Sequence, residues 1–189
     1  MTYTLMMLTL LACDKDEGST VDPPKPPSVI LDVEATGSVG MPGLSAPVEV
    51  LYNAFGVPHI FGETDNDVAQ VHGYIIARDR FFFLDLVRRV GHGTTTELMG
   101  QDGLQSDLES RQRGQTYVRD QILAELDGAP AMAAYVDSYV AGINAYVGQV
   151  KAGDQPPPAE LALLAPFIGI DPLEAIEPFD RADIAASMS

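Results

Sequence analysis

Reactive side chains are densest between Arg78 and Glu97, where Arg78, Asp79, Arg80, Asp85, Arg88, Arg89 and Glu97 interrupt an otherwise apolar stretch. Carboxylates and guanidiniums at this density either carry proton transfer in a cleft or neutralise one another along a helix. Asp85 and Arg89 have i,i+4 spacing, which puts them on one helical face. Charges on so apolar a helix must be paired, so the pattern predicts a structural network rather than a catalytic set. His59, His72 and His92 lack a second ligand at a spacing such as H-E-x-x-H and predict single packed or exposed imidazoles, not a metal centre. Glu63, Asp65 and Asp67 look like half an ion loop, but Thr64 and Asp67 have capping-box spacing, and helix initiation accounts for them.

The elements that position these groups follow from the apolar pattern. Val48, Val50 and Tyr52 alternate with other residues as in a half-buried strand. Phe55-Gly56-Val57-Pro58 breaks the strand, and His59-Ile60-Phe61 returns it as a hairpin. Behind Thr64, residues Val68, Val71, Ile75, Phe82, Leu86 and Val90 recur at helical intervals, with Ile76, Phe83 and Val87 widening the stripe. Arg88 and Arg89 suit the negative end of that helix, and Gly91 and Gly93 supply the stop. Leu104 to Asp127 predicts a weaker helix interrupted at Gly114. Gly128-Ala129-Pro130 separates it from a cleaner one carrying Met132, Val136, Tyr139, Val140, Ile143, Val147 and Val150. Gly153 and Pro156 to Pro158 end that helix. Glu160 to Leu164 predicts a helical turn, and Arg181 to Ser189 the start of another helix.

The chain has 189 residues with 11 Lys+Arg against 27 Asp+Glu, a formal charge of −16. Such an acidic balance excludes a nucleic-acid partner, because a phosphate-binding surface needs clustered Lys and Arg. A single cysteine, Cys13, rules out an internal disulfide. Leu5 to Ala12 is apolar but too short to span a bilayer, and Leu10-Leu11-Ala12-Cys13 resembles a bacterial lipobox. The lipobox implies a signal peptide over residues 1–12 and a lipidated Cys13, although Met1 to Thr4 lack the usual positive charge. The alternative is an apolar terminus with an incidental cysteine. Residues 13–47 are acidic and rich in Pro and Gly, a composition that predicts an extended tether. The protein is then an exported, membrane-anchored lipoprotein facing the periplasm or the cell surface.

The run Gly56-Val57-Pro58-His59-Ile60, then Gly73 to Phe82, Asp85 to Arg89, Gly93, and Glu97 to Gly100 closely resembles the start of the α-chain in penicillin amidases. Tyr139 to Tyr146 and Glu177-Pro178-Phe179-Asp180 extend the resemblance, which covers residues 48–189. It implies an α+β class: a mainly helical α-chain part, with a β-hairpin, of the αββα sandwich of N-terminal-nucleophile hydrolases. In that family a serine at the start of the β-chain, activated by its own α-amine, attacks an amide carbonyl to give an acyl-enzyme. The serine's family context is Gly-Ser/Cys-Asn. Ser187 and Ser189 lack it, so no catalytic residue is expected within this sequence, which is read as a partial molecule.

The resemblance also implies partners and sites. Glu177 aligns with a glutamate that helps bind calcium, the remaining oxygens coming from the downstream β-chain. Phe167 to Ile170 and Asp171-Pro172 resemble the family's loop that approaches the acyl pocket, and Phe167 and Ile170 would line that apolar pocket; no organic cofactor is implied. The implied substrate is an N-acyl small molecule: a β-lactam side chain, an acyl-homoserine lactone or another linear amide. A non-catalytic surface lipoprotein with a binding or structural role is the competing reading.

Overall fold

The computed structural model describes residues 41–169 and 171–189. The hairpin forms as expected, with strand β1 (Glu49–Tyr52) antiparallel to β2 (Pro58–Phe61) and Leu51 opposite His59. Pro58 opens β2 opposite Tyr52 instead of standing outside it, a position where its missing N–H is tolerated. The rest is helical: α1 (Asp65–His92), α2 (Thr96–Met99), a 3₁₀ turn, α3 (Leu104–Gln112), α4 (Gln115–Asp127), α5 (Pro130–Ala152), α6 (Ala159–Ile168), α7 (Pro172–Ala175) and α8 (Arg181–Ser187). A mainly helical region with a small antiparallel hairpin is what the α+β assignment requires. Among the described residues, no helix is long and apolar enough to cross a membrane.

Local chemistry sets the helix ends. The Thr64 hydroxyl oxygen accepts the Asp67 N–H at 3.1 Å and starts α1. The Asp67 carboxylate does not return to the Thr64 backbone; it accepts from the Ser45 N–H at 2.8 Å and the Ser45 hydroxyl at 2.6 Å. The Ser45 hydrogen bonds hold the Asp67 carboxyl below the usual carboxylate range. Gln70 donates to the Pro42 carbonyl at 2.8 Å, and Met41 is buried in the core. Residues 41–47, grouped with the tether by composition, therefore include a strap laid along the start of α1. At the other end Gly93 adopts φ 66°, its N–H bonding to Val90 O while the Thr94 N–H reaches Arg89 O. Gly114 (φ 74°) divides α3 from α4, and Pro130 opens α5. Where a loop was expected from Phe167, α6 continues through Ile168 with Pro166 inside it.

The helix α1 is the spine. It packs on α5 in the same direction, with Thr64 and Asp65 near Met132, Gly73 against Tyr139, and Phe81 against Tyr146. Tyr146 and Phe179 flank Phe81 at ring separations of 6.0 and 5.9 Å. Among the described residues Phe81, Ile143, Leu161, Ile176 and Val150 are the largest fully buried apolar side chains. Full burial of each contributes about 1.5–3 kcal/mol.

The interior line of α1 runs through Val71, Tyr74, Ala77, Phe81, Asp85 and Arg88, not through Phe82 and Leu86 as the apolar stripe predicts. Arg80 (φ −145°, ψ 29°) breaks the helix just before the change. Beyond it the inward face is charged while Phe83, 63% exposed, points away. Gly91 is likewise no stop. It lies within α1, where an added Cβ would stand 2.0 Å from Ala186 O on α8.

The α1–α5 contact is similarly close, since a Cβ on Gly73 would lie 2.0 Å from Tyr139 O and one on Gly142 1.8 Å from Gln70 O. Gly73→Ala or Gly142→Ala should therefore lower stability by about 3 kcal/mol, the upper range for overpacking against backbone. Gly148→Ala, with nothing within 4 Å of its added carbon, should be neutral or stabilise by about 0.5–1 kcal/mol. Urea melts of the three variants check the contrast.

Candidate functional site: a buried charge network beneath an acidic cleft

Asp85 has no solvent exposure. Its two carboxylate oxygens accept from Arg88 Nε at 2.7 Å and Arg89 Nε at 2.8 Å, one helical turn away. Arg88 reaches onward to Pro178 O at 3.1 Å and Asp183 Oδ2 at 3.3 Å, and its guanidinium lies 4.2 Å from the centre of the Phe179 ring. Arg89 reaches the other way, to Glu97 Oε2 at 2.7 Å. So Asp85, Arg88, Arg89 and Glu97 come together as a structural network, as the spacing predicts. Arg78 stands apart, bonded to Asp79 and to the Tyr52 hydroxyl on β1.

Two features missed at the sequence level complete the frame. Asn144 on α5 donates to Phe179 O at 2.8 Å and accepts the Phe179 N–H at 2.7 Å. With Arg88 it fixes the turn between α7 and α8 from both sides. Asp107 on α3 accepts from the backbone and hydroxyls of both Thr95 and Thr96, which leads the chain into Glu97. Burial pushes the Asp107 carboxyl up, but these hydrogen bonds outweigh it and hold the group below its ordinary value. Neither partnership leaves a local signal, because the residues of each pair lie 11 to 35 positions apart.

Glu177 stands on the fixed turn with its side chain 63% exposed, its Oε2 3.7 Å from Arg88 Nη2. With Arg89, Glu97, Asp171 and Glu174 it lines an open cleft of about 320 Å³. Calcium takes about six to eight oxygens at short range. Among the described residues, no group of three or more His, Cys, Asp or Glu side chains is placed to hold a metal ion. The residues around Glu177 therefore do not by themselves fit the ion, and its carboxylate already lies 3.7 Å from a cation, Arg88.

Phe167 lies in the last turn of α6, 83% exposed and outside that cleft; Ile170 and Cys13 fall outside the described residues. A second hollow, of about 620 Å³, is apolar and flanks the other side of α1, between Ile76, Phe82, Phe83 and Leu84, with Arg80 and Glu160 at its edge. His59 sits in β2, His72 meets the Tyr139 ring edge-on at 5.3 Å, and His92 contacts Asp183 and Arg119. Among the described residues, no histidine pairs with a serine hydroxyl.

Residues 47–189 match the family model described as penicillin amidase. The chain is 36% identical over 129 residues to penicillin acylase 2 proenzyme of a Pseudomonas species, covering 68% of this chain and 16% of that protein. It is 28% identical over 141 residues to penicillin G acylase of Escherichia coli, covering 74% and 16%. The structure resembles a thermostable penicillin G acylase from Alcaligenes faecalis, with TM-score 0.61, 27% identity, and coverage of 74% of this chain and 69% of that one. The chain thus spans about one sixth of the length of these two curated relatives.

Removing Asp85 strands two buried guanidiniums, so Asp85→Ala should cost about 3–5 kcal/mol in denaturant unfolding. Glu97→Gln, at the exposed rim of the same network, should cost less than about 1 kcal/mol. Equal losses for the two would show that Asp85 is not the hub.

Proposed function

The chain belongs to the penicillin amidase family, and we propose that it is the helical N-terminal part of a hydrolase that cleaves linear amide (N-acyl) bonds. The nucleophilic serine and the oxyanion-hole donors come, in this reading, from a downstream β-chain of the same precursor. The observation that carries it is the inverted second half of α1. That half turns Asp85, Arg88 and Arg89 inward and Phe82, Phe83 and Leu84 toward an apolar hollow. A large apolar side chain left in water forgoes about 1.5–3 kcal/mol, and an isolated two-stranded hairpin is marginal in water. One polypeptide lying over α1 and pairing with the hairpin relieves both.

The finer roles belong to the same proposal. Phe167 and Ile170 line the acyl pocket once the β-chain closes over them; the exposure of Phe167 supports a partner at that place. Glu177 contributes one carboxylate to a calcium site only if it leaves Arg88 and the β-chain supplies the other oxygens. The substrate is an N-acyl small molecule such as a β-lactam side chain or an acyl-homoserine lactone, selected by contacts from both chains.

One rival is a non-catalytic surface lipoprotein with a binding or structural role. Expressing residues 41–189, which keep the strap on α1, with and without the downstream chain separates the two. Alone, the product should bind a hydrophobic dye and hydrolyse no N-acyl substrate; together, the two chains should form a soluble, active pair. Hydrolysis by residues 41–189 alone overturns the division of labour, and an inactive but well-assembled pair favours the rival.

The lipobox-like Leu10 to Cys13 supports export and anchoring, with residues 1–12 as signal peptide and the following stretch as tether. Two or more acyl chains give stable membrane attachment. Expressed with its native leader, the protein should partition into detergent, and Cys13→Ser should release it. Aqueous partitioning of the unaltered protein removes the anchor from the proposal.

A further inference from the structure

His92, the last residue of α1, joins three helices. Its Nε2 lies 3.0 Å from Asp183 Oδ1 on α8, and its Nδ1 lies 3.1 Å from Arg119 Nη1 on α4. A guanidinium nitrogen only donates, so the Arg119 contact requires a lone pair on Nδ1. The ring proton is then on Nε2, directed at Asp183, and the imidazole is neutral. We propose that His92 is a pH-sensitive joint: its protonation releases α4 from the end of α1 while keeping α8 attached.

The surrounding charges set the direction. On α1, Arg88 holds the other oxygen of Asp183 at 3.3 Å. On α4, Asp120 binds Arg119 at 2.7 Å. On α3, Arg111 donates to Gly93 O at 3.2 Å. On α8, the Asp180 N–H donates to Asp183 Oδ2 at 2.8 Å. A second ring proton has one place to go, Nδ1. There it abolishes the acceptor for Arg119 and sets two cations against each other. The contact with Asp183 becomes charge-assisted and strengthens. The contribution to α4 docking is thus made by the neutral ring and is lost when a second proton binds, so it falls as the solution is acidified.

Hydrogen exchange on the full chain in its native assembly, at about pH 7.5 and about pH 5 with intrinsic rates corrected, reads this directly. Amides of α4 around Arg119 should lose about tenfold in protection at the lower pH, the size of one hydrogen bond to a charged group, with α8 unchanged. His92→Gln should keep α4 protected at both values, since a glutamine amide accepts from Arg119 and donates to Asp183 without titrating. Unchanged α4 protection in the parent protein, or undiminished pH dependence in the glutamine variant, overturns the proposal. Should that variant misfold, ring-nitrogen NMR of the parent decides: a neutral His92 with its proton on Nε2 supports the joint, and one on Nδ1 sinks it.

Discussion

A carboxylate with no access to water has to find its counter-charges in the protein, and in this chain that requirement falls on Asp85. Removing an ion from water costs several kcal/mol unless its remaining lone pairs are occupied. Two arginines from the next turn of the same helix do so, and each then has bonding capacity left. Arg88 spends it on the turn before α8, Arg89 on Glu97 beyond the end of α1. The placement of α8, the turn around Phe179 and the acidic cleft all descend from one buried charge.

The same network explains why the apolar side of α1 lies where it does. A helix has one interior line, and once Asp85 and Arg88 occupy it, Phe82, Phe83 and Leu86 are displaced to the flanks. Inside, glycines let backbones touch: Gly73 and Gly142 toward α5, Gly91 toward α8. On one side α1 meets its neighbours backbone to backbone; on the other it presents apolar side chains to an open hollow.

Much of this was legible in the sequence, because local rules govern it. The hairpin, the Thr64 cap, the breaks at Gly93, Gly114 and Gly153, and the pairing of Asp85 with Arg89 all rest on residues within a few positions of one another. What the sequence concealed was non-local. Hydropathy put Phe82 and Leu86 inside because it scores an arginine as polar without knowing that Asp183 waits 95 residues away. Nothing near Asn144 announces Phe179, and composition grouped Ser45 with a tether although Asp67 binds it. Of the site residues, Glu177 keeps company with Arg88, and Phe167 is exposed on a helix end instead of a loop.

The spacing of the network's bonds bears on the order of assembly. Arg88 leaves the ribosome 95 residues ahead of Asp183 and 90 ahead of Pro178. At a synthesis rate of about 5–20 residues per second, several seconds pass before those partners exist. During that wait the i,i+3 and i,i+4 bonds to Asp85 are already available, since nascent helices form in microseconds or less. The local pairs thus hold the charges in cis, leaving α1 with one surplus positive charge on its future interior until Glu97 and the distant turn with Asp183 arrive to offset it.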